Sequence, residues 1–169
     1  MIAFPTDTVY GLGALPSLYK GMETLYVLKG RDIQKPLILM GADVEALTPY
    51  LSPLSSTAKA LMEQYWPGQV TFLLPAQETV PPFCYSVYEG IKWVGVRIPN
   101  HSELLKLLDW VGPLATTSAN ISGEPSLLEG ESVEHRFPEI PLVFQGAVSF
   151  KKESMILRVV GDEVLVVRD

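Results

Sequence analysis

The chain has 169 residues, of which 47% are hydrophobic and 19% are charged, a balance that favours one packed globular domain over a disordered segment. Its formal net charge of −6 argues against a protein held to nucleic acid by overall charge. The longest apolar runs, such as 70–75, are far too short to span a bilayer, and the single cysteine, Cys84, cannot form an internal disulfide. We therefore expect a cytoplasmic protein that does not associate with membranes.

The hydrophobic pattern alternates short buried strands with amphipathic helices. It predicts strands at 2–4, 36–40, 70–74, 93–98, 114–117, 142–144, 155–160 and 163–168, and helices at 19–28, 44–50, 56–65 and 103–110. Asp43, Ser55 and Ser102 are the expected N-caps of the last three helices. Residues 121–131 are predicted to be loop. This order indicates an α/β fold with a twisted, open sheet, and the hairpin around Gly161 makes that sheet mixed rather than purely parallel.

The opening motif, Pro5-Thr6-Asp7-Thr8-Val9-Tyr10-Gly11-Leu12-Gly13, follows the first predicted strand directly. Proline ends the strand because it has no N–H for a ladder hydrogen bond. A polar loop at the carboxyl end of a strand is where open α/β sheets bind ligands. A surface turn rich in small polar residues explains this stretch equally well when it is taken alone.

Two later stretches favour the ligand site. Lys29-Gly30-Arg31 joins a helix end to a strand start, and it combines a compact charge with a planar fork that grips phosphate or carboxylate. Ser118-Ala119-Asn120 follows another predicted strand and offers many donors with little bulk. Each stretch alone is explained by surface charge or by a self-satisfied turn. Three such segments in one small domain predict a site for a small polyanion.

The sequence lacks the motifs of several other functional classes. Gly11-x-Gly13 lacks the third glycine of a dinucleotide fingerprint, and there is no P-loop sequence. His101 and His135 stand in no zinc pattern. Cys84 lies between aromatic and proline residues, where a buried structural thiol is expected rather than a nucleophile.

Five motifs occur in a fixed order: 4–13, Lys29-Gly30-Arg31 with Lys35-Pro36-Leu37, Trp66-Pro67-Gly68, Val96-Arg97-Ile98-Pro99, and 118–123. Together they resemble the YrdC/Sua5 family of L-threonylcarbamoyladenylate synthases over nearly the whole chain. The resemblance implies a twisted open α/β sheet with a concave, positive face. It also implies a single domain over residues 1–169, without the helix that precedes the first strand in many members and without the C-terminal domain of the longer branch.

The resemblance assigns roles to individual side chains. The catalytic tetrad of the family, which also contacts ATP, matches Lys29, Arg31, Ser118 and Asn120. Threonine binding is implied for Thr6, Arg97, Thr116 and Ser154. Further ATP contacts are implied for Ser126 and Arg168. No protein ligand of a metal is implied. Met155 departs from the pattern, because the family commonly has threonine after the serine at 154.

Members of the family join ATP, L-threonine and bicarbonate or CO2 into threonylcarbamoyl-AMP and release pyrophosphate, so the resemblance implies a nucleotidyltransferase that uses Mg2+ with ATP. Partner proteins of tRNA modification then transfer the threonylcarbamoyl group to adenosine 37, and RNA binding is a further expected property. Two alternatives stay open. One is a paralogue that binds RNA or nucleotide without synthase activity, and the other is a carbamoyl-adenylate-forming domain of the hydrogenase-maturation type.

Overall fold

Nine strands form one open sheet in the computed structural model, which describes residues 1–169. The strands are β1 (Ile2–Phe4), β2 (Gly11–Ala14), β3 (Ile38–Met40), β4 (Val70–Pro75), β5 (Tyr85–Tyr88), β6 (Ile91–Arg97), β7 (Leu114–Ser118), β8 (Met155–Val160) and β9 (Glu163–Arg168). Their order across the sheet is β1-β2-β7-β3-β6-β4-β8-β9, and β5 pairs with the first half of β6. β3 runs parallel to β6 and β4 parallel to β8, while the other pairs are antiparallel. The predicted mixed α/β sheet is therefore confirmed.

Five helices and one 3-10 turn complete the fold: α1 (Tyr19–Lys29), α2 (Val44–Leu47), the turn at Thr48–Tyr50, α3 (Ser56–Tyr65), α4 (Ser102–Val111) and α5 (Gly130–Arg136). The predicted caps Asp43 and Ser55 accept hydrogen bonds from Ala46 N and Ala58 N, as N-cap side chains do. The predicted cap Ser102 is wrong by one residue. His101 caps α4, because its Nδ1 accepts from the backbone N–H of Leu104.

Strand β2 was not anticipated by the sequence reading, because two glycines in four residues are unfavourable for a strand. The structure shows what the glycines do. The Phe4 ring lies against β2, and a Cβ atom at either Gly11 or Gly13 would stand 2.8 Å from it. The pair of glycines therefore serves close packing between β1 and β2.

Three further expectations differ from the structure. Residues 85–88 form β5, although no strand was predicted there. The predicted loop ends early, because α5 begins at Gly130 without a side-chain cap that would mark it in the sequence. The predicted strand at 142–144 is reduced to a single bridge between Val143 and Ala3.

The main core lies between the central strands and helices α1, α3 and α5. A second cluster packs α4 against the other face of the sheet and consists of Phe4, Met40, Leu104, Leu108 and Leu114. Cys84 is fully buried, and burial raises the pKa of its thiol to about 12, as expected of a structural cysteine. No helix has both the length and the apolar character that crossing a membrane requires.

Candidate active site

The ends of several elements meet at one cavity of about 650 Å3. The segment after β1, the last residue of α1 and the ends of β6, β7 and β9 all reach it, together with residues 153–154 before β8. Pairing of β2 with β7 sets Gly11 opposite Ser118 and Gly13 opposite Thr116. The backbone N–H of Ala119 also donates to Tyr10 O at 2.7 Å. The unpredicted strand β2 thus joins the opening motif to the Ser-x-Asn motif.

Lys29 is the last residue of α1, and its side chain is buried. Gly30 follows it with φ of +57°, a left-handed conformation that ends the helix and lets Lys29 and Arg31 face the same cavity. The Lys29 Nζ donates to Ser118 O, to Asn120 O at 2.8 Å and to Asn120 Oδ1 at 2.6 Å. Since an ammonium has three N–H donors, all of them are used within the protein.

The rest of the tetrad is only partly connected to this network. Ser118 Oγ donates to Asn120 Oδ1 at 2.8 Å, so one amide oxygen receives hydrogen bonds from both Ser118 and Lys29. Arg31 stands apart, because its Nε and Nη2 donate to the backbone oxygens of Lys35 and Pro36. The Arg31 Nη1 group makes no hydrogen bond within the protein, so its N–H groups remain available to a ligand.

Burial lowers the pKa of Lys29 to about 7, and the nearby Arg31 charge acts in the same direction while Glu153 opposes it. The three oxygens around Nζ nevertheless complement an ammonium rather than a neutral amine, which can donate only two hydrogen bonds. The three acceptors thus favour the charged ammonium while burial disfavours it, and Lys29 titrates near neutral pH.

Arg97 ends β6 and forms a buried ion pair with Asp7, with 2.6 Å between Arg97 Nη2 and Asp7 Oδ1. Its Nη1 donates to Thr8 Oγ1 at 2.9 Å and its Nε to Gly68 O at 3.0 Å. Burial lowers the pKa of Arg97, and the Asp7 carboxylate counteracts this. Three of the five guanidinium N–H groups are thus used, and two remain for a ligand at the cavity wall.

Thr6 and Thr116 line the same side of the cavity. Thr6 Oγ1 donates to Val9 O at 2.7 Å and accepts from the N–H of Thr8, which folds the opening motif into a compact turn. Thr116 Oγ1 donates to Ile38 O at 3.0 Å across the β3–β7 pair. The Thr6 hydroxyl is fully used within the loop, because its oxygen also accepts from the N–H of Val9 and lies 2.8 Å from Thr8 Oγ1, whereas the Thr116 oxygen keeps capacity to accept from a ligand.

Residues 153–154 and the end of β9 form another part of the cavity wall. Arg168 donates through Nε and Nη2 to Ser154 O and through Nη1 to Glu153 Oε2. The other Glu153 oxygen accepts from Ser126 Oγ at 2.7 Å. Ser154 Oγ lies 2.8 Å from Thr71 Oγ1 in a buried pair.

Nine of the ten predicted site residues line this cavity, and Ser126 reaches it only through Glu153. The cationic side chains in the wall are Lys29, Arg31, Lys35, Arg97 and Arg168, against the two acids Glu124 and Glu153. The wall is thus positive although the chain is acidic, which suits an anionic ligand.

Among the polar wall residues that were not predicted from the sequence, two hold predicted site residues in place. Thr71 holds Ser154, and its signal was a hydroxyl inside an otherwise apolar buried strand. Glu153 connects Ser126 to Arg168, and its only signal in the sequence was its position next to a serine that was predicted to be in the site. Both act on residues that the sequence did single out.

Comparison with known proteins gives a consistent result. The model of the Sua5/YciO/YrdC family, described as "Telomere recombination", matches residues 1–169. The threonylcarbamoyl-AMP synthase of Chromobacterium violaceum is 34% identical over 167 residues, which cover 98% of this chain and 85% of that protein. The threonylcarbamoyl-AMP synthase of Bacillus subtilis is 39% identical over 137 residues, which cover 80% of this chain.

Among solved structures, Pyrococcus abyssi Sua5 complexed with L-threonine matches 99% of this chain with a TM-score of 0.90 and 33% identity. The match covers 49% of the Sua5 chain, and the B. subtilis match covers 39% of that relative. The chain therefore spans less than half the length of these two relatives.

Proposed function

The chain belongs to the Sua5/YciO/YrdC family, and on this premise we propose that it joins L-threonine, CO2 and ATP into L-threonylcarbamoyl-AMP and releases pyrophosphate. The observation that supports this most is the gathering of the tetrad with Arg97 and Arg168 around one cavity of about 650 Å3. A cavity of this size is typical of sites for small molecules and cofactors.

The proposed reaction has two steps. The threonine amine adds to CO2, which bicarbonate yields by loss of hydroxide, and the amine gives up a proton to form a carbamate. A carbamate oxygen then bonds to the α-phosphorus of ATP while the bond to the β-phosphate oxygen breaks, and pyrophosphate leaves. Two anions must meet, and a like-charge pair about 4 Å apart costs about 4 kcal/mol at an effective dielectric constant of about 20.

The cationic wall offsets this repulsion. Arg31 is proposed to hold phosphate oxygens with its unused N–H groups, and Arg168 with Ser126 is proposed to bind the nucleotide beside it. Lys29 acts differently, because its donors are taken by Ser118 and Asn120. Its charge stabilises the phosphates through space, and its hydrogen bonds fix the Ser118–Asn120 turn.

The threonine end is proposed to lie against the opening motif. Arg97 would hold the threonine carboxylate with its two unused N–H groups, since Asp7 and Thr8 fix the orientation of the guanidinium. Thr116 and Ser154 would accept from the amine or bond the side-chain hydroxyl, and Thr6 would shape the loop that forms this end of the cavity. A rigid frame of this kind favours catalysis by positioning.

Mg2+ is proposed to enter on the triphosphate as part of the substrate. Since Mg2+ keeps several waters and is usually held through substrate phosphates, phosphate oxygens and water would supply its ligands, and no protein residue is assigned to it. The ion would neutralise charge on the leaving pyrophosphate. The labile product is proposed to pass to tRNA-modification proteins in the cytoplasm, and RNA binding belongs to the same proposal.

The test is incubation of the purified chain with ATP, Mg2+, bicarbonate and threonine, with mass spectrometry for the adenylate and an assay for pyrophosphate. We expect a product that requires both threonine and bicarbonate and is lost with serine. Arg31→Ala should reduce pyrophosphate release by roughly a hundredfold or more, by analogy with loss of one charge-stabilising donor. Lys106→Ala is the matched control, because Lys106 is exposed on α4 and pairs only with Glu103.

Two outcomes would contradict the proposal. Equal turnover of Arg31→Ala and Lys106→Ala would remove the tetrad from the mechanism, provided that both variants keep the melting temperature of the parent. Nucleotide or RNA binding without threonine-dependent pyrophosphate release would instead support the alternative of a binding paralogue.

A further inference from the structure

Three cations at the proposed nucleotide side of the cavity, Lys29, Arg31 and Arg168, are already bonded to acceptors of the protein itself. Lys29 and Arg31 donate to uncharged backbone and amide oxygens. Arg168 alone on this side is paired with a carboxylate, that of Glu153. The same carboxylate accepts a hydrogen bond from the Ser126 hydroxyl, so it occupies both groups that are proposed to bind the nucleotide.

Two arginines of the cavity wall, Arg97 and Arg168, form ion pairs that differ in exposure. The Arg97 and Asp7 side chains are 5% and 4% exposed, whereas those of Arg168 and Glu153 are 39% and 35% exposed. A buried pair cannot separate without leaving an uncompensated charge, which costs about 3–5 kcal/mol. A pair open to water is worth about 0–1 kcal/mol and exchanges partners readily. Of these two pairs, only Arg168–Glu153 can therefore open when a ligand arrives.

We propose that Glu153 is an internal competitor of the nucleotide, a carboxylate that occupies Ser126 and Arg168 until a phosphate anion displaces it. This inference rests on the proposed function and names a residue that sets nucleotide affinity at the same site. Glu153 has the chemistry for such exchange, because a carboxylate and a phosphate oxygen accept the same hydrogen bonds from a hydroxyl and a guanidinium. Glu153 accepts hydrogen bonds from one hydroxyl and one arginine N–H, and a phosphate group would use the same donors.

The electrostatics agree with this exchange. Burial raises the pKa of Glu153, but the Ser126 hydroxyl and the Arg168 charge outweigh it and lower the pKa below its ordinary value. Glu153 is thus an anion at neutral pH, and a phosphate that binds in its place is also repelled by its negative charge. Removal of that charge should strengthen binding.

The test is titration calorimetry with α,β-methylene-ATP, with and without Mg2+, on the full chain and on Glu153→Gln. Glutamine keeps the size and accepting oxygen but removes the charge. We expect Glu153→Gln to bind the nucleotide about five- to tenfold more tightly, the effect of removing roughly 1 kcal/mol of competition and repulsion. Glu124→Gln is the matched control, because Glu124 lies in the same cavity wall and its carboxylate pairs with Arg136 instead.

Three outcomes would overturn the inference. Unchanged or weaker binding by a folded Glu153→Gln would make Glu153 a residue that only positions Arg168. Weaker binding in the presence of Mg2+ alone would make it a metal ligand. Equal tightening in Glu124→Gln would reduce the effect to general charge. Failure of the parent chain itself to bind the nucleotide would overturn the proposed function as well, and so the two failures are distinguishable.

Discussion

Nucleotide binding should make the protein take up a proton at the Lys29 side chain. Burial holds the pKa of Lys29 at about 7, whereas an ordinary lysine has a pKa of 10.5. The difference corresponds to roughly 5 kcal/mol of unfavourable free energy for keeping the ammonium charged in the free site, at about 1.4 kcal/mol for each pKa unit. An incoming phosphate can reverse this penalty.

The size of the reversal follows from Coulomb's law. One phosphate charge about 4 Å from Nζ contributes about 4 kcal/mol at an effective dielectric constant of about 20, or about three pKa units. Binding should therefore return the pKa of Lys29 to about 10. Near pH 8, about one unit above the pKa of Lys29 in the unliganded protein, only about a tenth of the Lys29 side chains are protonated. Binding therefore takes up about 0.9 proton per molecule. Near pH 6 the uptake should fall to about a tenth of a proton.

The assay is calorimetric titration with α,β-methylene-ATP in buffers of different ionisation enthalpy, since the dependence of the measured heat on the buffer gives the number of protons taken up. Lys29→Arg is the control, because arginine stays charged at every pH of the experiment. It should bind without the uptake. If the parent takes up no proton near pH 8, or if Lys29→Arg takes up as many, the pKa of Lys29 is not linked to the phosphates and the argument fails.

Three further substitutions, the last paired with a control, test how the site and the fold around it are held together. Asp7→Asn leaves Arg97 buried without its carboxylate, so chemical denaturation should show a loss of about 3–5 kcal/mol of unfolding free energy. Tyr10→Phe removes a buried hydroxyl that donates to Gly146 O and accepts from Gly146 N, and the same measurement should show a loss of about 1–3 kcal/mol. On α4, Leu104→Ala should lower the free energy of unfolding by about 2–5 kcal/mol, because Leu104 is buried. Trp110→Ala is its control and should change that free energy by no more than about 0.5 kcal/mol, because Trp110 is 86% exposed. Equal losses would contradict the packing of this helix.

The sequence predicted the parts of the fold that depend on local signals. Strands with continuous apolar runs and helices with a capping side chain, such as those that begin after Asp43 and Ser55, lie where the pattern placed them. Residues far apart in sequence were also predicted to meet, because each stood at the end of a strand or helix that leads to one edge of the sheet. Ser118 and Lys29 illustrate this, since the Lys29 ammonium donates to the Ser118 carbonyl.

The elements that were missed depend on tertiary contacts. β2 is a strand because Phe4 covers its two glycines, and a ring packed across strands leaves no periodicity in the local sequence. α5 begins without a capping side chain, so nothing marks its start. Glu153 was overlooked for a related reason. Its importance comes from two partners, Ser126 and Arg168, that lie 27 and 15 residues away along the chain.

Asp7 and Glu153 give the two proposed ends of the cavity different rigidity. Asp7 is bonded to Arg97 below the surface, and the N–H of Phe150 donates to the Asp7 carbonyl oxygen, so the proposed threonine end is part of the folded core. Glu153 and Arg168 are open to solvent, so the proposed nucleotide end can exchange partners. A rigid pocket suits a small amino acid that must be selected by shape, while an exchangeable pair suits a triphosphate that must leave as pyrophosphate. Substitutions at Asp7 should consequently change the free energy of unfolding first, and substitutions at Glu153 should change nucleotide affinity first.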